Sequence, residues 1–177
     1  MRAVRQVIRR TWPIGLCALL AGCRGEHPAT ASDAVLQFYT MRDALGGTGA
    51  PTAKELAALR PFIADSLARG LFIADSLRQA DMERAPDEKP RFVEGDMFSS
   101  LFEGATAYRV MPAIPNTDPA LVPVEFTNDK ERPVVRWTDT VVVTQHDGRW
   151  LVHDVRYGGT WDFGNKGTLL RQLAPSP

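Results

Sequence analysis

The stretch Val134–Tyr157, VVRWTDTVVVTQHDGRWLVHDVRY, decides the fold. Its two runs, Val134–Gln145 and Arg149–Tyr157, are rich in valine, threonine and aromatic residues, the types that suit a half-buried pleated surface. Between them stands Asp147-Gly148. A two-residue Asp-Gly connection marks a tight hairpin, because both of its residues must take positive φ. The stretch therefore reads as two long antiparallel strands. Upstream, Ala105–Met111 and Leu121–Phe126 have the same character, separated by the turn-rich Ile114–Pro119, with Asn128–Glu131 before the long pair. Four strands in succession, with no helical stretch between them, predict an antiparallel sheet.

Before residue 90 the apolar spacing changes from two residues to about 3.6. Ser32 offers an N-cap with Asp33 in the first turn, and Ala34, Phe38, Met41 and Leu45 share a face until Gly46-Gly47 ends the pattern. Thr52 and Glu55 have the spacing of a capping box for a short helix that stops near Arg60, ahead of Pro61. From Pro61 a further helical stripe runs through Ile63, Leu67, Leu71, Ala74 and Leu77, with Gly70 as its weak point, where the region divides if it is two helices. Ala85–Arg91 reads as a solvated linker, and Leu169–Leu173 as a short closing helix or turn. The fold class is α+β, with N-terminal helices packed on a curved antiparallel sheet of about four strands. Phe-Ile-Ala-Asp-Ser-Leu occurs twice, at Phe62–Leu67 and Phe72–Leu77. Ten residues at about 100° each set the copies roughly 80° apart around a helix, so they present different faces, and the period is too short for a solenoid.

The first 22 residues form a separate unit. Arg2, Arg5, Arg9 and Arg10 precede the apolar run Ile14–Leu19 and then Leu20-Ala21-Gly22-Cys23. The run is far shorter than the roughly 20 apolar residues that cross a bilayer, so it reads as an export signal removed on maturation. The closing tetrapeptide resembles a bacterial lipobox. That resemblance implies that the Cys23 thiol receives a diacylglycerol and becomes the mature N-terminus; an ordinary signal with a chance cysteine is the plainer alternative. Residues 1–22 are then signal peptide, 23–31 the lipidated cysteine and a flexible tether, and 32–174 a single α+β domain. Arg24 stands where an aspartate would resemble an inner-membrane retention signal, which favours an outer-membrane lipoprotein facing the periplasm in a host with two membranes.

Maturation also changes the chemistry. Cys17 leaves with the signal and Cys23 becomes a thioether, so no disulfide, thiolate nucleophile or cysteine metal site remains. Four of the 21 basic residues lie in the signal and none of the 21 acidic ones does, which leaves a net charge of −4. A mildly acidic domain with scattered cations is a poor partner for nucleic acid.

In order along the chain come the lipobox, a helix carrying Phe38-Tyr39, the helical segment from Leu59-Arg60-Pro61, Gly95-Asp96-Met97-Phe98-Ser99, and the closing block Asp147–Tyr157. The closing block is similar to the ending of bacterial lipoproteins in the family called domain of unknown function 3828. That resemblance implies the cystatin-like shape of nuclear transport factor 2, a curved sheet wrapped over N-terminal helices, and little chemistry.

Enzymes of that shape place an Asp or an Asp-His pair in a pocket between helix and sheet. His153-Asp154 stands in the corresponding strand, but strict alternation sends neighbours to opposite faces unless a bulge intervenes. On that alternation Leu151, Val155 and Tyr157 pack on the helices near Phe38, with the Tyr157 hydroxyl on a polar partner. Asp154 falls on the other face, paired with an arginine such as Arg136. Tyr39, Arg136, Asp154 and Tyr157 are the candidate pocket or polar residues. Tyr39, Arg42 and Asp43 read more simply as the polar edge of the first helix, and Trp137, Trp150 and Trp161 as core. His27, His146 and His153 lack metal-ligand spacing, and no nucleotide fingerprint or nucleophile elbow occurs, so neither metal nor cofactor is implied. These observations point to a membrane-anchored module that binds a protein partner or a small ligand. An isomerase or dehydratase, and an immunity protein against a secreted toxin, stand as alternatives.

Overall fold

The computed structural model describes residues 28–130 and 132–174. The expected signal peptide, residues 1–22, and the expected lipidation site Cys23 lie outside the described residues. Helices α1 (Ala31–Leu45), α2 (Ala53–Leu59) and α3 (Asp65–Arg84) come first, with one 3-10 turn at Arg60–Phe62. Strands β1 (Ala107–Val110), β2 (Ala120–Asn128), β3 (Val135–His146) and β4 (Arg149–Arg156) follow, then α4 (Leu169–Leu173). The four strands pair in sequence order, every pair antiparallel, in a curved, open sheet. The fold is α+β. The β3–β4 turn has the predicted geometry, with Asp147 at φ 48° and Gly148 at φ 75°.

Helix α1 starts two residues earlier than its sequence suggests. Thr30, not Ser32, is the N-cap: its hydroxyl accepts the Asp33 N–H at 3.1 Å while the Asp33 carboxylate accepts the Thr30 N–H at 3.1 Å. Ser32 is thereby free to donate to the Met111 carbonyl at 3.1 Å, which ties the start of α1 to the end of β1. Ala34, Val35, Phe38 and Tyr39 form the buried face. Tyr39 packs on Tyr108 and Phe126 of the sheet with ring centroids 5.2 and 5.5 Å away. Each fully buried apolar side chain of this face contributes about 1.5 to 3 kcal/mol relative to exposure. Gly46 closes the helix at φ 63°, where a side chain would be strained.

The capping box of α2 is present, with the Glu55 carboxylate accepting the Thr52 N–H at 2.7 Å. The stripe beginning at Pro61 does not continue as helix. Ile63 is extended, at φ −121° and ψ 149°, and bridges Val152 in parallel, while the Ala64 N–H donates to the Val152 carbonyl at 2.8 Å. Helix α3 then runs unbroken through Gly70. A Cβ at Gly70 would meet Leu173 of α4 at 3.1 to 3.2 Å, so this glycine is a place of close helix approach and not a break. The segment after α3 is anchored at its far end: Arg91 clasps Asp81 through Nε at 2.6 Å and Nη2 at 2.8 Å. Arg91 holds the Asp81 carboxyl at about 2, below the usual carboxylate range.

Strand β4 departs from strict alternation. Val142 faces Asp154 and Val143 faces Val152, so His153 is an extra residue in a β-bulge. The bulge puts Val152 and Val155 together in the core and leaves Leu151 out of it, while Trp150 packs against the core instead. The expected grouping of Leu151 with Val155 fails for this reason. The outer edge of β4 is met by Ile63-Ala64 at Val152 and by Thr168 at Arg156, which obstructs it as a template for another chain at these two points.

Candidate functional site

The segment 96–101 meets both α1 and the sheet, and one group of buried polar side chains, Asp96, Ser99, Ser100 and Asp139, collects on it. Tyr39 of α1 donates to the Phe98 carbonyl at 2.9 Å, and Tyr157, just past β4, donates to the Met97 carbonyl at 2.6 Å, with Gln172 Oε1 3.2 Å from the same hydroxyl. The two hydroxyls satisfy adjacent carbonyls that would otherwise be buried without donors, a cost of roughly 1 to 3 kcal/mol each. Burial raises both phenols, with the charges of Asp96 and Asp139 adding to the effect. Both are neutral donors.

Asp139 of β3 is fully buried and takes four donors. The Ser100 N–H lies at 2.7 Å, Trp137 Nε1 at 3.1 Å and the Gly158 N–H at 2.8 Å, and the Ser100 hydroxyl completes the set. Gly158 and Gly159 are required by this approach: a Cβ at Gly158 would lie 2.1 Å from the Thr138 carbonyl, and one at Gly159 2.7 Å from Ser100 Cβ. With its acceptor sites taken by these donors, Asp139 acts as a clamp between β3, the 96–101 segment and the chain after β4.

Asp96 is different. One oxygen accepts the Phe98 N–H at 2.9 Å; the other, Oδ2, forms an ion pair with Arg42 Nη2 at 2.6 Å. Burial pushes this carboxyl up, against the pull of Arg42 and of the Phe98 N–H. Arg42 is therefore not merely part of a solvated helix edge, since its guanidinium is mostly buried against Asp96.

The structure brings Tyr39 and Tyr157 to the same segment and leaves Arg136 and Asp154 away from it. Asp154 does not pair with Arg136. Its Oδ1 accepts the Val155 N–H at 2.8 Å and the Leu170 N–H at 2.9 Å, so it caps α4 together with Thr168. Arg136 is exposed on the opposite face of the sheet from α1. His153, in the bulge, meets the Ser66 hydroxyl at 3.1 Å. The space between α1 and the sheet is filled by rings: Phe38 packs on Tyr39 and Phe98, Phe126 stacks on Trp137 at 5.4 Å, and Trp137 meets Trp161 edge-on at 5.5 Å. Asp96, Asp139 and Ser100 were not singled out by sequence, although Gly95–Ser99 and the Gly158-Gly159 pair mark the places where the chain comes closest to them.

Open space lies outside this core. The exposed sheet face carries a groove of about 460 Å³ across β1, β2 and β3, lined by Arg109, Glu125, Thr127, Arg136 and Thr138. Arg109 pairs with Glu125 across the strands. A second cleft, of about 260 Å³, runs between the 92–102 segment and α4, with Phe102, Asn165 and Gln172 on its walls. Among the described residues no three His, Cys, Asp or Glu side chains converge as metal ligands, and no helix is long and apolar enough to cross a membrane.

No protein-family model matches the chain. It is similar to the uncharacterized lipoprotein YbjP of Escherichia coli (strain K12), with 28% identity over 123 residues, which span 68% of this chain and 66% of that protein. This similarity supports a bacterial lipoprotein and a place in the cell envelope. A solved structure, a protein of unknown function from Bacteroides thetaiotaomicron VPI-5482, aligns with 71% of this chain and 87% of its own at 16% identity and a TM-score of 0.38.

Proposed function

We propose that the chain is a lipid-anchored binding module of the cell envelope, held by a diacylglycerol on Cys23 to the outer membrane, with residues 32–174 as its periplasmic working domain. In this reading the closing block Asp147–Tyr157 marks kinship with the domain of unknown function 3828 lipoproteins and the nuclear transport factor 2-like shape. The observation that carries a binding role is where open space lies. The interior that a cone-shaped enzyme would use is occupied by Phe38, Phe98, Phe126 and Trp137, and its carboxylate Asp139 is engaged by four donors. The groove of about 460 Å³ is instead on the exposed sheet face. An open groove lined by guanidinium, carboxylate and hydroxyl groups suits the polar surface of a protein partner better than an enclosed small molecule.

Two measurements test this. Cys23→Ala abolishes incorporation of a palmitate analogue and releases the chain from membranes; retention with label intact would remove the anchor. A photocrosslinking residue at Thr138 captures a defined envelope partner in cells, and Arg136→Glu reduces that adduct, while the same probe at Phe72 on α3 captures none. Equal capture at both positions, or no effect of Arg136→Glu, would sink the groove as the contact surface.

A further inference from the structure

We propose that the domain rests end-on against a zwitterionic lipid surface, through Leu36 of α1 and the loop that follows β1, with the sheet-face groove turned aside from the membrane. The inference rests on anchorage through Cys23 and adds to it the face that meets the lipid. Three observations carry it. The first is reach. Four residues lie between Cys23 and Pro28, where the described chain begins, and the five steps of chain that join them span at most about 18 Å even when fully extended. A domain of this size is roughly 40 Å across, so the anchor cannot hold it at a distance at which all faces are equivalent. The end from which the chain leaves is the end nearest the lipid.

The second observation is which end that is. Helix α1 runs antiparallel to β1. Its first turn is tied to Met111 by the Ser32 hydroxyl, and Tyr39, two turns later, packs on Tyr108. The N-terminus of α1 and the loop after β1 are therefore neighbours at one end of the molecule. The third is the chemistry of that end. Leu36 is 49% exposed and Ile114 43% exposed, and Pro112, Pro115 and Pro119 of the same loop are exposed beside Ile114. Leu36 lies one helical turn after Ser32 and so stays on the side of α1 that meets this loop. From Thr30 to Thr40 and from Met111 to Leu121 the only charged residues are Asp33 and Asp118, with no lysine or arginine. An apolar tip without cations enters the headgroup boundary by burying side chains, not by attraction to anionic lipid.

The test uses the full lipidated chain reconstituted in vesicles of phosphatidylcholine and phosphatidylethanolamine. With Cys17 removed and Cys23 held as a thioether, a cysteine introduced at one position is the single free thiol. Leu36→Cys and Ile114→Cys, carrying a fluorophore, are quenched several-fold more by spin-labelled lipid than Phe72→Cys and Phe163→Cys, which are exposed elsewhere. All four sites are exposed, so none of the substitutions threatens the core. Raising the salt concentration leaves the quenching unchanged. Equal quenching at the four positions in a chain that sediments with the vesicles would overturn the end-on contact while leaving the anchor intact. Loss of quenching with salt would overturn its apolar character. A chain that neither sediments nor carries lipid would remove the anchor, and the contact with it.

Discussion

The hexapeptide Phe-Ile-Ala-Asp-Ser-Leu is placed in two environments ten residues apart. In Phe62–Leu67 the chain leaves a 3-10 turn, Ile63 becomes an extended rung beside β4, and helix begins only at Asp65. In Phe72–Leu77 all six residues are α-helical. Burial exchanges accordingly: Ile63 is fully buried and Ile73 half-buried, whereas Asp65 is exposed and Asp75 buried. The carboxylates find different partners, Arg60 at 2.5 Å for Asp65, and Arg78 with Gln79 Nε2 at 2.9 Å for Asp75. Local sequence supplies compatible options here, and the neighbours choose between them. The first copy has Pro61 before it and the edge of β4 beside it, and the second has a helix turn on either side.

The two isoleucines should differ most in what they contribute. Ile63→Ala removes a fully buried side chain from the joint between sheet edge and helices and is expected to cost about 3 to 4 kcal/mol, within the range for such cavities. Ile73→Ala, at a half-buried site, should cost less than about 1.5 kcal/mol. Urea unfolding of the two variants measures both; equal losses would mean that Ile63 is not seated against Val152.

The carboxylates should invert that order. Asp75→Ala leaves the largely buried Arg78 without its counter-charge and is expected to destabilise by roughly 3 kcal/mol, because an uncompensated charge in the interior is expensive. Asp65→Ala removes an exposed pair and should leave the melting temperature unchanged near neutral pH. Arg60 holds the Asp65 carboxyl below its ordinary range, so whatever this pair contributes is present above the unfolded carboxyl's range and lost as pH falls through the folded one. Thermal melts of both variants at neutral and acidic pH decide it, and a loss for Asp65→Ala as large as that for Asp75→Ala would refute the inversion.

Between the copies, Gly70→Val should cost about 2 kcal/mol by overpacking against Leu173, which would have to retreat from a Cβ at 3.1 to 3.2 Å. Leu173→Ala in the same chain should recover part of that loss, and a double-mutant cycle measures the coupling. Independent, additive effects would show that α3 and α4 do not meet at this glycine.

What sequence could show follows from range. The Asp147-Gly148 hairpin, the Thr52–Glu55 capping box and the Gly46 stop are decided within a few residues, and each is found as read. The partner for the Tyr157 hydroxyl was foreseeable because a buried phenol requires one, but Met97 as that partner was not. Thr30 displaces Ser32 as N-cap because Ser32 has a distant acceptor at Met111. The bulge at His153 regroups Val152 with Val155, and no periodic reading of one strand reveals an inserted residue that only its neighbour defines. The same holds for Asp139 and Asp96. Each joins near donors to distant ones, Asp139 to Ser100 and Gly158 and Asp96 to Arg42, so their roles depend on the assembled fold and not on any local spacing.

The smallest loss is expected at the first residue of the second hexapeptide. Phe62 packs against the core, whereas Phe72 is 60% exposed on α3 although it occupies the same place in the same hexapeptide. An exposed ring gains little on folding, since most of its apolar surface still meets water. Phe72→Ser should therefore leave the unfolding midpoint within about 0.5 kcal/mol of the parent, the range for surface substitutions away from caps and ion pairs. Phe62→Ser should be clearly destabilising. The melting temperature of the parent should also be independent of protein concentration, because nothing in the folded monomer requires Phe72 to be covered. A marked loss of stability in Phe72→Ser, together with a concentration-dependent melt of the parent, would show that the second copy is buried after all, against another chain.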